Sequence, residues 1–125
     1  ARITWGFATR AFERDAGLCR ELFFESEMAD EDVKVYMQRM KDGCLAGTRL
    51  LDLRALAGSL PVPAAGSLAG GPAVLVFGGD KDVIVDAEAL DETAQAHGVT
   101  PVRLPGAAHD AMLGPRWRDA AEVLL

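Results

Sequence analysis

The chain has 125 residues, the size of one ordinary domain. Half of it is hydrophobic, 26% is charged and mean hydropathy is +0.10, a globular composition that argues against disorder and against a membrane span. Thirteen Lys and Arg against nineteen Asp and Glu leave a net charge of −6, which argues against a nucleic-acid surface, where clustered cations must meet phosphates.

Cys19 and Cys44 are too few for a disulfide scaffold, and neither sits in a Cys-x-x-Cys or Cys/His pattern, so both read as reduced, buried, small hydrophobes. No charged-then-apolar leader follows Ala1. The chain stops at Glu122-Val123-Leu124-Leu125, inside an apolar helical pattern without a cap. Both ends therefore read as cuts in a longer chain.

Residues 1–58 read as helical. Asp15 is placed to cap a helix whose Cys19, Leu22 and Phe23 recur at i, i+3, i+4. Asp30 reads as a second N-cap, with Glu31 and Asp32 in the first turn opposing the helix dipole. The stripe Val33, Tyr36, Met37, Met40 follows at i, i+3, i+4, i+7, and Lys41 and Gly43 supply a cation and a stop. That stripe suits core packing or, alternatively, the lining of an acyl pocket. A third helix is expected over 45–57, with Leu50, Leu53 and Ala57 on one face and Gly58 ending it. Residues 59–72 hold three Pro and three Gly in fourteen positions, which sustains neither a helix nor a central strand. This is a linker.

Beyond it the period changes. Ala73-Val74-Leu75-Val76-Phe77 is a continuous apolar run expected to be a strand buried on both faces, ended by Gly78-Gly79. Asp86 caps a helix with Glu88 in its first turn, Ala87, Leu90 and Ala94 inward, and Gly98 past its end. Residues 100–104 form a second strand, with Pro101 tolerable near its start. Strand, helix, strand over about thirty residues is a βαβ unit, which requires parallel strands. A last helix starts with Pro115 and is expected to bury Trp117, Ala120, Ala121 and Leu124. Two parallel strands cannot bury both faces of a sheet, so further strands are expected from elsewhere.

In an open parallel sheet, ligands meet the loops at the carboxyl ends of the strands. Asp82 lies in the first such loop and His109 in the second, five positions past each expected strand end. Consecutive βα units usually lie side by side, which makes these two residues neighbours. An Asp beside a His suggests a carboxylate orienting an imidazole base that activates a nucleophile. The bland alternative is a turn-capping Asp and an incidental loop His. Asp80 rivals Asp82 but sits one residue from the strand-ending glycine. His97 falls at a helix end, where a cation suits the dipole. No cluster has metal-ligand spacing, and no Gly-Lys-Ser/Thr makes Gly78-Gly79 a phosphate loop, so no metal and no cofactor is implied.

The segment Gly79-Asp80-Lys81-Asp82-Val83-Ile84-Val85 resembles the Gly-x-x-Asp stretch that carries the triad acid of α/β-hydrolases. Leu104-Pro105-Gly106-Ala107-Ala108-His109-Asp110-Ala111-Met112-Leu113 resembles the stretch carrying their triad histidine. The order acid, then histidine, fits that family. Glu92-Thr93-Ala94 and Trp117-Arg118-Asp119-Ala120-Ala121 are similar to its single-domain serine hydrolases with a helical cap. Glu21-Leu22-Phe23-Phe24 and Leu51-Asp52-Leu53 look like that cap. Two departures stand out. Ala108 precedes His109 where the family usually has Gly, and no Gly-x-Ser-x-Gly elbow occurs. The nearest imitation, Ala65-Gly66-Ser67-Leu68-Ala69, lies in the linker before a strand, whereas an elbow follows one.

The resemblance implies an α/β fold: the C-terminal part of an α/β-hydrolase parallel sheet (73–125), preceded by cap helices (1–58) and the linker (59–72). It implies a serine hydrolase acting on an ester, thioester or amide of a small-molecule acyl substrate, with Asp82 and His109 catalytic and the nucleophile upstream of Ala1. This segment alone is then inactive. An Asp nucleophile would imply epoxide or haloalkane hydrolysis instead. Two other readings stand beside it: a non-catalytic binding or scaffold protein of the same fold, and a small self-contained α/β binding domain.

Overall fold

A computed structural model of the chain describes residues 2–43, 55, 58 and 73–125. The first 43 residues are helical: α1 (Arg2–Thr9), a 3-10 turn (Ala11–Glu13), α2 (Ala16–Phe23) and α3 (Asp30–Gly43). The Asp15 side chain caps α2 by accepting from the Leu18 amide at 3.0 Å, as its sequence position implies. Asp30 is the first residue of α3, whose backbone bonding already begins at the Ala29 carbonyl, and its carboxylate is ion-paired with Arg20. The expected third helix over 45–57, the linker over 59–72, Cys44 and Ser67 lie outside the described residues, Ala55 excepted.

The apolar stripes of α2 and α3 meet in one core. Leu18, Cys19, Leu22 and Phe23 pack with Phe12, Phe24, Met28, Val33 and Met37, while Tyr36 and Met40 lie at its margin. The rings of Phe7, Phe12 and Phe23 stand 5.3 to 6.0 Å apart at steep angles, the edge-to-face geometry that ring quadrupoles favour. Burying each of these side chains contributes about 1.5–3 kcal/mol. The methionine and aromatic stripe is thus core. Cys19 is a free, fully buried thiol. Burial pushes its pKa up to about 11, helped by the Asp110 charge and opposed by Arg20, so it packs as a small hydrophobe.

The remainder is built on β1 (Phe77–Gly79), α4 (Ala87–His97), β2 (Val102–Leu104) and α5 (Trp117–Val123). Asp86 accepts from the Ala89 amide, and Gly98 closes α4 in the left-handed conformation, so both ends of this helix follow from their residues. β1 and β2 are parallel, in the register Phe77↔Val102, Gly78↔Arg103, Gly79↔Leu104. Val76, Leu90 and Ala94 form one small cluster; Leu104, Ala107, Ala111 and Ala120 form another. No helix among the described residues is long and apolar enough to cross a membrane.

The expected fold class, the C-terminal part of an α/β-hydrolase parallel sheet behind cap helices, is not what the structure shows. The described residues are mostly helical, with five α-helices and a sheet of only two three-residue strands. The apolar run 73–77 lies mostly ahead of β1, which includes Gly78 and Gly79 rather than ending at them. Only Val76 of that run is buried, and Leu75 is 43% exposed. Two strands cannot cover two sheet faces, and two glycines bring no side chain to either. Pro115 precedes α5 by two residues instead of starting it, and the helix buries Ala120 alone, leaving Trp117 49% exposed.

Candidate active site

The parallel register brings the ends of β1 and β2 level, and the loops that follow are bonded to each other. The Asp80 amide donates to the Leu104 carbonyl at 3.1 Å and the Lys81 amide to the Ala107 carbonyl at 3.0 Å. In return the Gly106 amide donates to Asp80 Oδ1 at 2.7 Å. Three residues past β1 and five past β2, Asp82 Oδ2 meets His109 Nδ1 at 2.9 Å. The other carboxylate oxygen of Asp82 accepts from the amides of Ile84 at 2.8 Å and Val85 at 2.9 Å. That turn fixes the carboxylate before the imidazole reaches it, since short side-chain to backbone bonds of this kind lock an Asp rotamer.

Electrostatics match the geometry. Burial alone would push the Asp82 carboxyl up, but the bond from His109, the Val85 and Ile84 amides and the His109 charge outweigh it, leaving it below its ordinary value. The hydrogen bond to Asp82 holds the His109 imidazolium against the opposing effect of burial, with the Asp82 and Asp110 charges adding, so its pKa lies above the ordinary value. The Asp82 side chain is 7% exposed and that of His109 31%. With Nδ1 engaged, Nε2 is the nitrogen available to take and return a proton. The pair lines an apolar cleft of about 360 Å³ together with Phe77, Leu90, Met112, Trp117 and Leu124. A larger cleft of about 560 Å³ includes Phe24, Glu25, Lys81 and Arg116 but neither member of the pair.

Of the residues singled out in the sequence, the structure brings Asp82 and His109 together. Asp80 instead clamps the Gly106 amide. His97 ends α4 with a buried Nδ1 that has no hydrogen-bond partner, and it does not line the cleft. Ser26, the one serine among the described residues, donates to Glu27 and makes no bond to His109. No group of three His, Cys, Asp or Glu side chains suited to a metal ion occurs among the described residues. Two neighbours of the pair were not read as site residues in the sequence. The Phe23 ring lies 6.2 Å from the His109 ring, and Glu25 sits buried beneath the same loop.

Asp110 is held uncomfortably. Burial pushes its carboxyl up; the His109 charge lowers it, and the Asp82 and Glu25 charges raise it further. A raised carboxyl contributes stability below the ordinary value of 3.8 that is lost as pH climbs through the folded value. Asp110→Asn removes that penalty, so the variant should melt higher than the parent at pH 7, with the gap closing by pH 3. Thermal melts at the two pH values decide it, and a lower Tm at pH 7 counts against the desolvation account.

A scan against protein-family models and searches of curated proteins and of solved structures found no match to this chain.

Proposed function

We propose that Asp82 and His109 are the acid and the general base of a Ser-His-Asp hydrolase that transfers an acyl group from an ester, thioester or amide to water. The observation that carries this reading is the 2.9 Å contact between Asp82 Oδ2 and His109 Nδ1 in the lining of an apolar cleft. A buried carboxylate on Nδ1 holds the tautomer whose Nε2 accepts the nucleophile's proton, and it stabilises the imidazolium that results. The likeness of residues 79–85 and 104–113 to the acid and histidine stretches of α/β-hydrolases supports the same roles. The serine, supplied from outside the described residues, gives its proton to His109 as it attacks the acyl carbon, and His109 returns that proton to the departing alcohol, thiol or amine. Water then attacks the acyl-enzyme with the same proton relay, releasing the carboxylic acid and restoring the serine hydroxyl. An apolar cleft suits the acyl chain.

The test is turnover of an activated ester such as p-nitrophenyl butyrate by the full-length protein and by its His109→Ala variant, with folding checked by thermal melts. The expected loss in turnover is about 10⁴-fold or more, the scale on which triad members act. Equal turnover by both proteins, or none by the parent, rejects the reading. The rival is a non-catalytic binding protein, since an apolar cleft also serves to hold a ligand. That rival expects no covalent labelling by a fluorophosphonate, whereas the hydrolase reading expects labelling of the serine.

A further inference from the structure

α2 is closed by its C-cap, Phe24, in extended backbone, and the next residue lies against the loop that carries His109. There Glu25 is 3% exposed, the one charged residue in the buried set of the described chain. The loop closes around it. At one end the Ala108 amide donates to Glu25 Oε1 across a long 3.5 Å. At the other, a Cβ on Gly114 would lie 1.9 Å from Glu25 Oε2 and 2.8 Å from its carboxyl carbon, so this stretch of backbone rests directly on the carboxylate. Between the two ends the Asp110 amide donates to the Phe23 carbonyl at 2.9 Å, and the Gly114 amide to the Asp110 carbonyl at 3.2 Å. His109 is the residue between Ala108 and Asp110, and its ring neighbours Phe23.

A buried carboxylate is costly unless its oxygens are paired, and Oε2 of Glu25 has no hydrogen-bond partner. An apolar side chain of similar volume would fill the space without that cost. What it would not offer is an acceptor for the amide just before the histidine.

We propose that Glu25 is a positioning residue for His109: its carboxylate is the peg around which residues 108–114 fold, and it keeps the imidazole against Asp82. The consequence for turnover rests on the hydrolase reading above; the consequence for the imidazole does not. The charged groups around the ring are Asp82, bonded to it, and Asp110, beside it, while Glu25 acts on Asp110.

The experiment is nitrogen-detected NMR of the full-length protein, with His109→Gln and His97→Gln assigning the two imidazoles by loss of signal. The parent should show a hydrogen-bonded Nδ1 proton on His109 and a titration above the ordinary imidazole value. Glu25→Gln keeps the shape and an acceptor oxygen, and should leave both signatures in place. Glu25→Ala should lose the Nδ1 signal and move the titration downward; in the active protein it should lower kcat about 10²-fold, the scale of a misplaced catalytic group. Should Glu25→Ala not fold, Glu25→Asp, which keeps the charge but shortens the reach by one methylene, is read the same way. A folded Glu25→Ala or Glu25→Asp with the parent's Nδ1 signal and titration overturns the proposal, for Glu25 then only fills space. A parent without ester turnover whose imidazole still shifts in Glu25→Ala removes the hydrolase reading and leaves the positioning role standing.

Discussion

On the proposed hydrolase reading, Asp82→Asn should lower ester turnover by the full-length protein about 10⁴-fold, the cost of an acid-to-amide change in a Ser-His-Asp triad. The amide keeps the shape, but it carries no charge to stabilise an imidazolium and can donate to Nδ1, which favours the wrong tautomer. Asp80→Asn should cost less than about tenfold, because Asp80 acts on the Gly106 amide and an Asn oxygen still accepts that bond. The double variant Asp82→Asn/His109→Ala should be little worse than His109→Ala, since members of one triad act as a unit. Stability offers a second readout that does not need turnover. The depressed Asp82 carboxyl contributes stability above its ordinary value of 3.8, lost as pH falls through the folded value. The raised His109 contributes below its ordinary value of 6.5, lost as pH climbs through the folded one. The gap between parent and Asp82→Asn should therefore be widest between those values and narrow on either side. A mild Asp82→Asn beside a crippling Asp80→Asn would mean that the wrong carboxylate has been assigned to the histidine.

The meeting of Asp82 and His109 was legible because it follows from local rules. Parallel strands joined by one helix end level with each other, and the residues at which α4 starts and stops, Asp86 and Gly98, mark its ends by their own chemistry. The core of α2 and α3 was legible for a similar reason, since the spacing of Val33 and Met37 commits one helix face. The extent of the sheet was not. An apolar run such as residues 73–77 reads as a strand buried on both faces, but burial depends on neighbours that the run does not encode, and here Leu75 stays exposed. Trp117 and Leu124 carry helical spacing yet are exposed for the same reason. Asp15 and Asp86 cap by reaching three residues along the chain; Glu25 reaches an amide 83 positions away. It stands at the end of Leu22-Phe23-Phe24, outside any periodic face, so no local pattern marks it. Its one signal is an acidic residue directly after an apolar run.

Gly79→Ala should break the junction of the two site loops. A Cβ at this position would lie 2.1 Å from the Ala107 carbonyl oxygen, 2.5 Å from its carbon and 2.7 Å from the Ala108 carbonyl oxygen. All three atoms are backbone, so no side-chain rotation relieves the clash. Nor can the Ala107 carbonyl simply retreat: it must approach this closely to accept the Lys81 amide at 3.0 Å, two residues along. The chain has to open between β1 and the loop after β2, which loses that bond and carries His109 away from Asp82. Overpacking of a side chain costs about 1–3 kcal/mol; a clash with fixed backbone belongs at or above the upper end, about 3 kcal/mol. Gly43→Ala is the matched control, because a Cβ there meets nothing within 4 Å and the change raises helix propensity by up to about 1 kcal/mol. Urea denaturation of the two variants should show a large fall in midpoint for Gly79→Ala and none for Gly43→Ala. The His109 Nδ1 signal should vanish in any folded fraction of Gly79→Ala. A Gly79→Ala protein with the parent's midpoint and an intact Nδ1 signal would show that the loops meet less closely than 2.1 Å to backbone demands, and the level strand ends would no longer explain why Asp82 finds His109.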